Sequence, residues 1–105
     1  MNNEICLLNC RPLADAERFS ELLRGVSPQR RKIIESRKRE NDRRLSLGGG
    51  LLIKYFRAVH PSLPEVVREA DGKPQFDGRS FFISISHSGD YAMVGISEEP
   101  IGVDL

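Results

Sequence analysis

The segment from Asn41 to Val59 constrains the fold most, because its apolar residues recur every three or four positions, as on one face of a long helix. The recurring residues are Leu47, Leu51, Leu52, Tyr55, Phe56 and Val59. Pro61 predicts the end of this helix, since proline cannot continue the hydrogen-bond ladder. We expect the apolar face to pack against a sheet.

Three consecutive glycines, Gly48 to Gly50, lie inside this predicted helix. Each glycine costs about 1 kcal/mol relative to alanine in a helix interior, so a run of three needs a compensating reason. Close approach of a strand or a ligand would supply one. A break between two shorter helices is the alternative, and the sequence favours neither.

Strand signals concentrate at the end of the sequence. Phe81 to Ser86, Ala92 to Ile96 and Ile101 to Leu105 alternate or run apolar, and Ser88-Gly89-Asp90 supplies the first turn between them. They predict an antiparallel meander.

Other elements precede these strands along the chain. Ile5 to Leu8 predicts a buried strand, Asp15 to Leu23 an amphipathic helix, and Ser27-Pro28 the start of another helix. Residues 60–78 are rich in proline and glycine and predict mostly loop. The expected fold class is therefore α+β, a small antiparallel sheet packed against helices.

Length and composition limit the remaining possibilities. The chain has 105 residues, enough for one small domain, and no stretch approaches the roughly 18 apolar residues that span a bilayer. We therefore expect a soluble cytoplasmic protein with no membrane partner. Cys6 and Cys10 lack further metal-ligating neighbours, which favours a role as small core residues.

Positive charge is concentrated in one segment, although the net charge is only +1. Eight of the sixteen lysines and arginines lie between Arg30 and Arg44. Guanidinium groups match phosphate oxygens, so this cluster is a candidate phosphate site. A solvated helix surface with i,i+4 pairs to Glu35 and Glu40 is the more conservative interpretation.

Two further features suggest a phosphate and its metal ion. Ser86-His87-Ser88-Gly89 places a hydroxyl, an imidazole and turn amides at the end of a strand, where they can converge on an anion. Asp104 lies in an apolar strand and needs a cation or donors, and Mg²⁺ would satisfy it. The alternatives are a structural histidine and a turn-capping aspartate.

Taken in order, Gly72-Lys73-Pro74, then Ile85 to Tyr91, then Ile101 to Leu105 resemble the surfactin-type 4′-phosphopantetheinyl transferases. Arg11-Pro12-Leu13, Ser27-Pro28 and the region from Ser46 to Gly49 are also similar to the first half of that family. The resemblance implies one half of a pseudo-two-fold fold, with residues 1–105 forming an amino-terminal subdomain that ends at the metal-binding strand.

The resemblance also implies an activity. Such enzymes transfer the phosphopantetheine arm of coenzyme A (CoA) to a serine of an acyl or peptidyl carrier protein, with Mg²⁺ on the diphosphate. It implies the following roles: Arg30, Ser46, Arg68, Lys73, Ser86 and His87 bind CoA, and Asp104 binds the metal. No catalytic base is assigned, and the choice between Mg²⁺ and Mn²⁺ as the bound metal stays open.

The sequence departs from the family pattern in several places. A second acidic residue expected two positions after Asp104 would lie beyond Leu105, Ile33 replaces a common basic residue, and Ser84 replaces a common asparagine. We therefore expect the chain to need a carboxy-terminal half or self-association for activity. The competing interpretations are a non-catalytic basic module for nucleic acid or another anion and a structural or regulatory remnant, although the basic segment lacks aromatic residues for base stacking.

Overall fold

The part of the chain that the structure describes forms a three-stranded sheet, a two-stranded hairpin and a layer of helices. The computed structural model describes residues 3–68, 74–78, 80–99 and 102. The strands are β1 (Glu4–Asn9), β2 (Val66–Arg68), β3 (Pro74–Phe76), β4 (Phe82–Ser88) and β5 (Tyr91–Ser97), and the helices are α1 (Ala16–Leu23), α2 (Pro28–Ser36) and α3 (Glu40–Val59). A short 3-10 helix, Arg11–Ala14, follows β1. Of the described helices, none is long and apolar enough to cross a membrane.

The main sheet is antiparallel and has the order β1-β5-β4. The β4–β5 hairpin turns at Gly89, which has a φ of +58° that glycine adopts without strain. The sequence-based meander placed only consecutive strands side by side, but β1 occupies the second edge of β5. The predicted strand from Ile101 to Leu105 lies outside the described residues apart from Gly102.

Capping residues set the starts of the first two helices. The Asp15 carboxylate accepts a hydrogen bond from the Arg18 amide at 3.1 Å, and the Ser27 hydroxyl accepts one from the Arg30 amide at 3.2 Å. Pro28 occupies the first position of α2, where its missing amide proton has no helical partner to lose. These starts agree with the sequence-based prediction.

Alternation along the strands divides the sheet into two faces. Leu8, Ala92 and His87 are opposite one another in the register of β1, β5 and β4, and they lie on the face toward α3. Neighbours such as Leu7 and Met93 therefore lie on the outer face. The buried core between sheet and helices is formed by Cys10, Leu13, Ile34, Leu45, Leu47, Leu52, Phe56, Leu63, Phe76, Ala92, Val94 and Ile96.

Helix α3 is continuous through its three glycines, which are all buried. A Cβ atom on Gly48 would overlap Cys10 Sγ and lie 3.3 Å from Ala92 Cβ, whereas one on Gly49 would meet Ile85 Cγ2 at an ordinary 3.6 Å. Close approach of the sheet therefore compensates for Gly48. The alternative of two helices separated by a break is wrong.

The hairpin β2–β3 departs from the prediction that residues 60–78 are mostly loop. Val66 is paired with Phe76, and Phe76 is buried against Phe81 with ring centroids 6.4 Å apart in an edge-on arrangement. The Phe76 side chain thus anchors a short hairpin, which the sequence analysis missed because the segment is rich in proline and glycine.

Both cysteines are free thiols, and Cys10 is part of the core as predicted. Burial raises the pKa of the Cys10 thiol, with the Asp90 carboxylate adding to the effect. Cys10 is therefore protonated near neutral pH and acts as a small apolar residue.

We predict that Gly48→Ala and Gly49→Ala have opposite effects on stability. Gly48→Ala should lower the free energy of unfolding by about 1–3 kcal/mol, because the methyl group overlaps Cys10 Sγ in a packed layer. Gly49→Ala should be neutral or stabilising by up to about 1 kcal/mol, because it gains helix propensity and its methyl group meets Ile85 at an ordinary contact distance. Urea denaturation of the two variants measures the difference, and equal losses would contradict the close approach described above.

Candidate functional site

A cavity of about 360 Å³ opens between α2, α3, β3 and β4. It is called the first cavity here, and its lining includes side chains from distant parts of the sequence. Arg30 from α2, Ser46 from α3 and His87 from β4 all contribute. Three of the six residues that the family resemblance assigns to CoA thus line one space.

Arg30 reaches the first cavity because α3 carries a glycine where the arginine crosses it. The Arg30 Cγ lies 2.7 Å from the position that a Cβ of Gly50 would occupy. The aliphatic stem therefore lies directly on the helix, and the side chain is half-buried. Gly50, the third glycine of the run, thus makes room for Arg30, the candidate phosphate-binding residue.

The α3 wall of the cavity follows helical spacing. Asp42, Leu45, Ser46 and Gly49 lie at intervals of three and four, so they share one helix face. Asp42 is a lining residue that the sequence analysis missed, although this spacing from Ser46 could have revealed it. Its carboxylate also lies in the first turn of α3, where the positive end of the helix dipole stabilises its negative charge.

The hydroxyl of Ser46 is the clearest sign of a missing partner in this space. Its oxygen is buried, and among the described residues it has no hydrogen-bond partner. A buried hydroxyl without a partner costs about 1–3 kcal/mol, so a ligand oxygen that accepts from it would recover that energy. The hydroxyl lines the same cavity as Arg30 and His87.

His87 and Ser86 lie on opposite faces of β4. His87 follows Ile85 by two positions, and both side chains line the first cavity. Ser86 is paired with Met93 on the outer face and does not line this cavity. The structure therefore brings His87, but not Ser86, together with Arg30.

The basic segment divides into two groups. Arg31 forms an i,i+4 pair with Glu35 at 3.3 Å, and Arg44 forms one with Glu40 at 4.0 Å, as the conservative interpretation predicted. Arg30 and Arg37 instead line the first cavity. The described lining residues thus include two guanidinium groups, which match phosphate oxygens, and the Asp42 carboxylate.

The remaining predicted ligands cannot be placed as side chains. Lys73 and Asp104 lie outside the described residues, and for Arg68 only the backbone, paired with Pro74, is described. Within the described ranges no group of three histidine, cysteine, aspartate or glutamate side chains could hold a metal. The described residues by themselves therefore do not form the predicted Mg²⁺ site.

We predict that Ser46→Ala leaves the free protein at least as stable as the parent chain. The substitution removes a buried hydroxyl that has no described partner and improves helix propensity, so the free energy of unfolding should rise by up to about 1 kcal/mol or stay unchanged. Urea denaturation tests this. A loss above about 1 kcal/mol would show that the hydroxyl is already satisfied within the protein.

The fold is similar to that of solved structures of ACPS. A complex of ACPS with CoA from Chronobacterium ammoniagenes superposes with a TM-score of 0.60 at 20% identity, over 90% of this chain and 93% of that chain. The apo-ACPS structure from the same organism gives a TM-score of 0.58 at 22% identity over the same shares. No protein-family model and no curated protein matches the sequence. The likeness confirms the predicted α+β fold, an antiparallel sheet packed against helices.

Proposed function

We propose that this chain is a 4′-phosphopantetheinyl transferase domain that holds phosphate groups of CoA in the first cavity. The observation that carries the proposal is the convergence of Arg30, Ser46 and His87 in one cationic cavity. The fold supports it, because this chain shares the fold of ACPS, a holo-carrier-protein synthase, and one of the similar structures is a complex with CoA. The surfactin-type subfamily stays a prediction.

The proposed reaction places a serine of an acyl or peptidyl carrier protein against the CoA diphosphate. The serine oxygen forms a bond to phosphorus, the bond between that phosphorus and the bridging oxygen breaks, and adenosine 3′,5′-bisphosphate leaves. The serine proton passes to a base that is not assigned in this chain. Because charge accumulates on phosphate oxygens, fixed cations and donors lower the barrier by positioning and electrostatic stabilisation.

Each described residue has a separate part in this scheme. Arg30 and Arg37 neutralise phosphate charge, and the Ser46 hydroxyl donates to a phosphate oxygen. His87 contributes a ring N–H from the opposite wall. The Asp42 carboxylate repels an anion, and this repulsion limits how much negative charge the cavity accepts.

The other predicted ligands stay part of the proposal. Lys73 and Arg68 would add positive charge around the cofactor, Ser86 would contact a CoA phosphate, and Asp104 would bind Mg²⁺. The sequence and the family resemblance support these four roles. A cytoplasmic location likewise stays a prediction from the sequence.

We predict that CoA binds this chain and that His87→Ala weakens binding by about tenfold or more, since a donor to a charged phosphate contributes about 1.5–3 kcal/mol. Calorimetric titration with and without Mg²⁺ measures both the affinity and the metal dependence. Arg18→Ala is the matched control, because the Arg18 side chain is exposed on α1 and lies outside the cavity. This variant should bind CoA as the parent chain does.

An oligonucleotide of matched charge distinguishes the competing basic module. Equal binding of CoA and oligonucleotide, unchanged by His87→Ala and steeply salt-dependent, would contradict the proposal and favour that module. Transfer itself is read by the mass increase of an apo carrier protein, with the parent chain alone and with added carboxy-terminal half.

The outer face of the sheet supports the proposed self-association. Ile5, Leu7 and Tyr91 are 56%, 52% and 43% exposed, and Met93 lies between Leu7 and Ser86 in the register. An exposed apolar sheet face of this kind usually packs against another protein surface. Since the likeness spans 93% of the ACPS chain, we favour a second copy of this chain over a separate carboxy-terminal half.

We predict that the parent chain sediments as an oligomer and that Leu7→Lys shifts it toward monomer, because a charge cannot be buried in that face without a large cost. Val59→Lys is the matched control, since Val59 is 49% exposed but lies at the end of α3. Sedimentation velocity at several concentrations measures the shift. A parent chain that stays monomeric, or equal effects of both variants, would contradict association through this face.

A further inference from the structure

A second cavity, of about 720 Å³, adjoins the first and is not used by the proposed reaction. It lies among the turn after α1, the first turns of α2, the carboxy-terminal half of α3 and the hairpin. Arg30 and Pro74 line both cavities. Its volume falls within the roughly 300–1,000 Å³ typical of small-molecule sites.

The floor of the second cavity is aliphatic. Val26, Ile33, Ile53 and Val66 line it, and Val26, Ile53 and Val66 also pack against the core. The described lining residues include no aromatic ring, so a flat base would find no stacking surface here. An aliphatic group fits this floor better.

The rim of the same cavity is cationic. Among the described lining residues, Arg30, Lys54 and Arg57 supply positive charge and Glu65 supplies the one carboxylate. Lys54 Nζ lies 2.8 Å from the position that a Cβ of Gly25 would take, which places the ammonium group at the α1 side. Among the described residues neither Lys54 nor Arg57 forms an ion pair.

We infer that the second cavity binds a small anionic amphiphile, an aliphatic chain that carries a phosphate or carboxylate head group. The chain lies on the aliphatic floor, and the head group lies between Lys54 and Arg57. Burial of methylene groups supplies affinity, and the two cations select an anion over a neutral lipid. This inference does not depend on the proposed transfer reaction.

Calorimetric titration with octyl phosphate below its micellar concentration tests the inference. Octyl phosphate should bind at least about tenfold more tightly than inorganic phosphate, because several methylene groups leave water. 1-Octanol should also bind more weakly than octyl phosphate, because it lacks the charge. Equal binding of octyl phosphate and either comparison ligand would overturn the inference.

Two sets of variants locate the bound ligand. Arg57→Gln, alone and with Lys54→Gln, should weaken octyl phosphate binding by about fivefold or more, while Arg18→Gln should not change it. Because Lys54 also lies near the carboxy-terminal end of α1, circular dichroism checks each fold and Arg57→Gln alone suffices if the double variant unfolds.

Binding elsewhere gives a different pattern. Arg37→Gln alters only the first cavity, so a loss in this variant without a loss in Arg57→Gln would place octyl phosphate there and overturn the inference. An acidic amphipathic peptide that binds through Arg57 when octyl phosphate does not would identify a protein-docking groove instead and would also overturn it.

Discussion

Close contact between α3 and the sheet is the constraint on which the candidate site depends. At Gly48 the helix approaches Cys10 and Ala92 so nearly that a methyl group does not fit. This contact fixes the distance from α3 to β5, and β4 is paired with β5 in the sheet. Ser46 and His87, 41 positions apart in the sequence, line one cavity because that distance is small.

The same glycine run serves three neighbours. Gly48 faces the sheet, Gly49 faces Ile85 of β4, and Gly50 faces the stem of Arg30. At Gly48 and Gly50 the penalty in helix propensity, about 1 kcal/mol for each glycine, is offset by the packing that these close approaches allow. Gly49 meets Ile85 at an ordinary distance, so tertiary contacts explain two of the three glycines.

Much of the fold could be predicted from periodicity, capping and turn residues. The spacing from Leu47 to Val59 predicted α3, Ser27-Pro28 predicted the start of α2, and Gly89 predicted the β4–β5 turn. The order of the sheet could not be predicted this way. Pairing of β1 with β5 is a long-range contact, and nothing local in Ile5 to Leu8 specifies its partner.

The site was predictable only in part. Motif resemblance identified Arg30, Ser46 and His87, and the structure places them in one cavity. Asp42 was missed because the motif gave it no role, although its helical spacing from Ser46 puts it on the same face. The second cavity had no sequence signal, since its floor and rim come from four separate elements.

Backbone amide shifts during titration with CoA test the central claim most directly, because they locate a bound ligand without requiring turnover. The account predicts that the largest changes occur at Arg30, Ser46, Gly49 and His87, on three elements that all line the first cavity. Changes confined to the exposed segment from Lys38 to Arg39, with the cavity amides unmoved, would show that CoA is held by surface charge alone and would contradict the account.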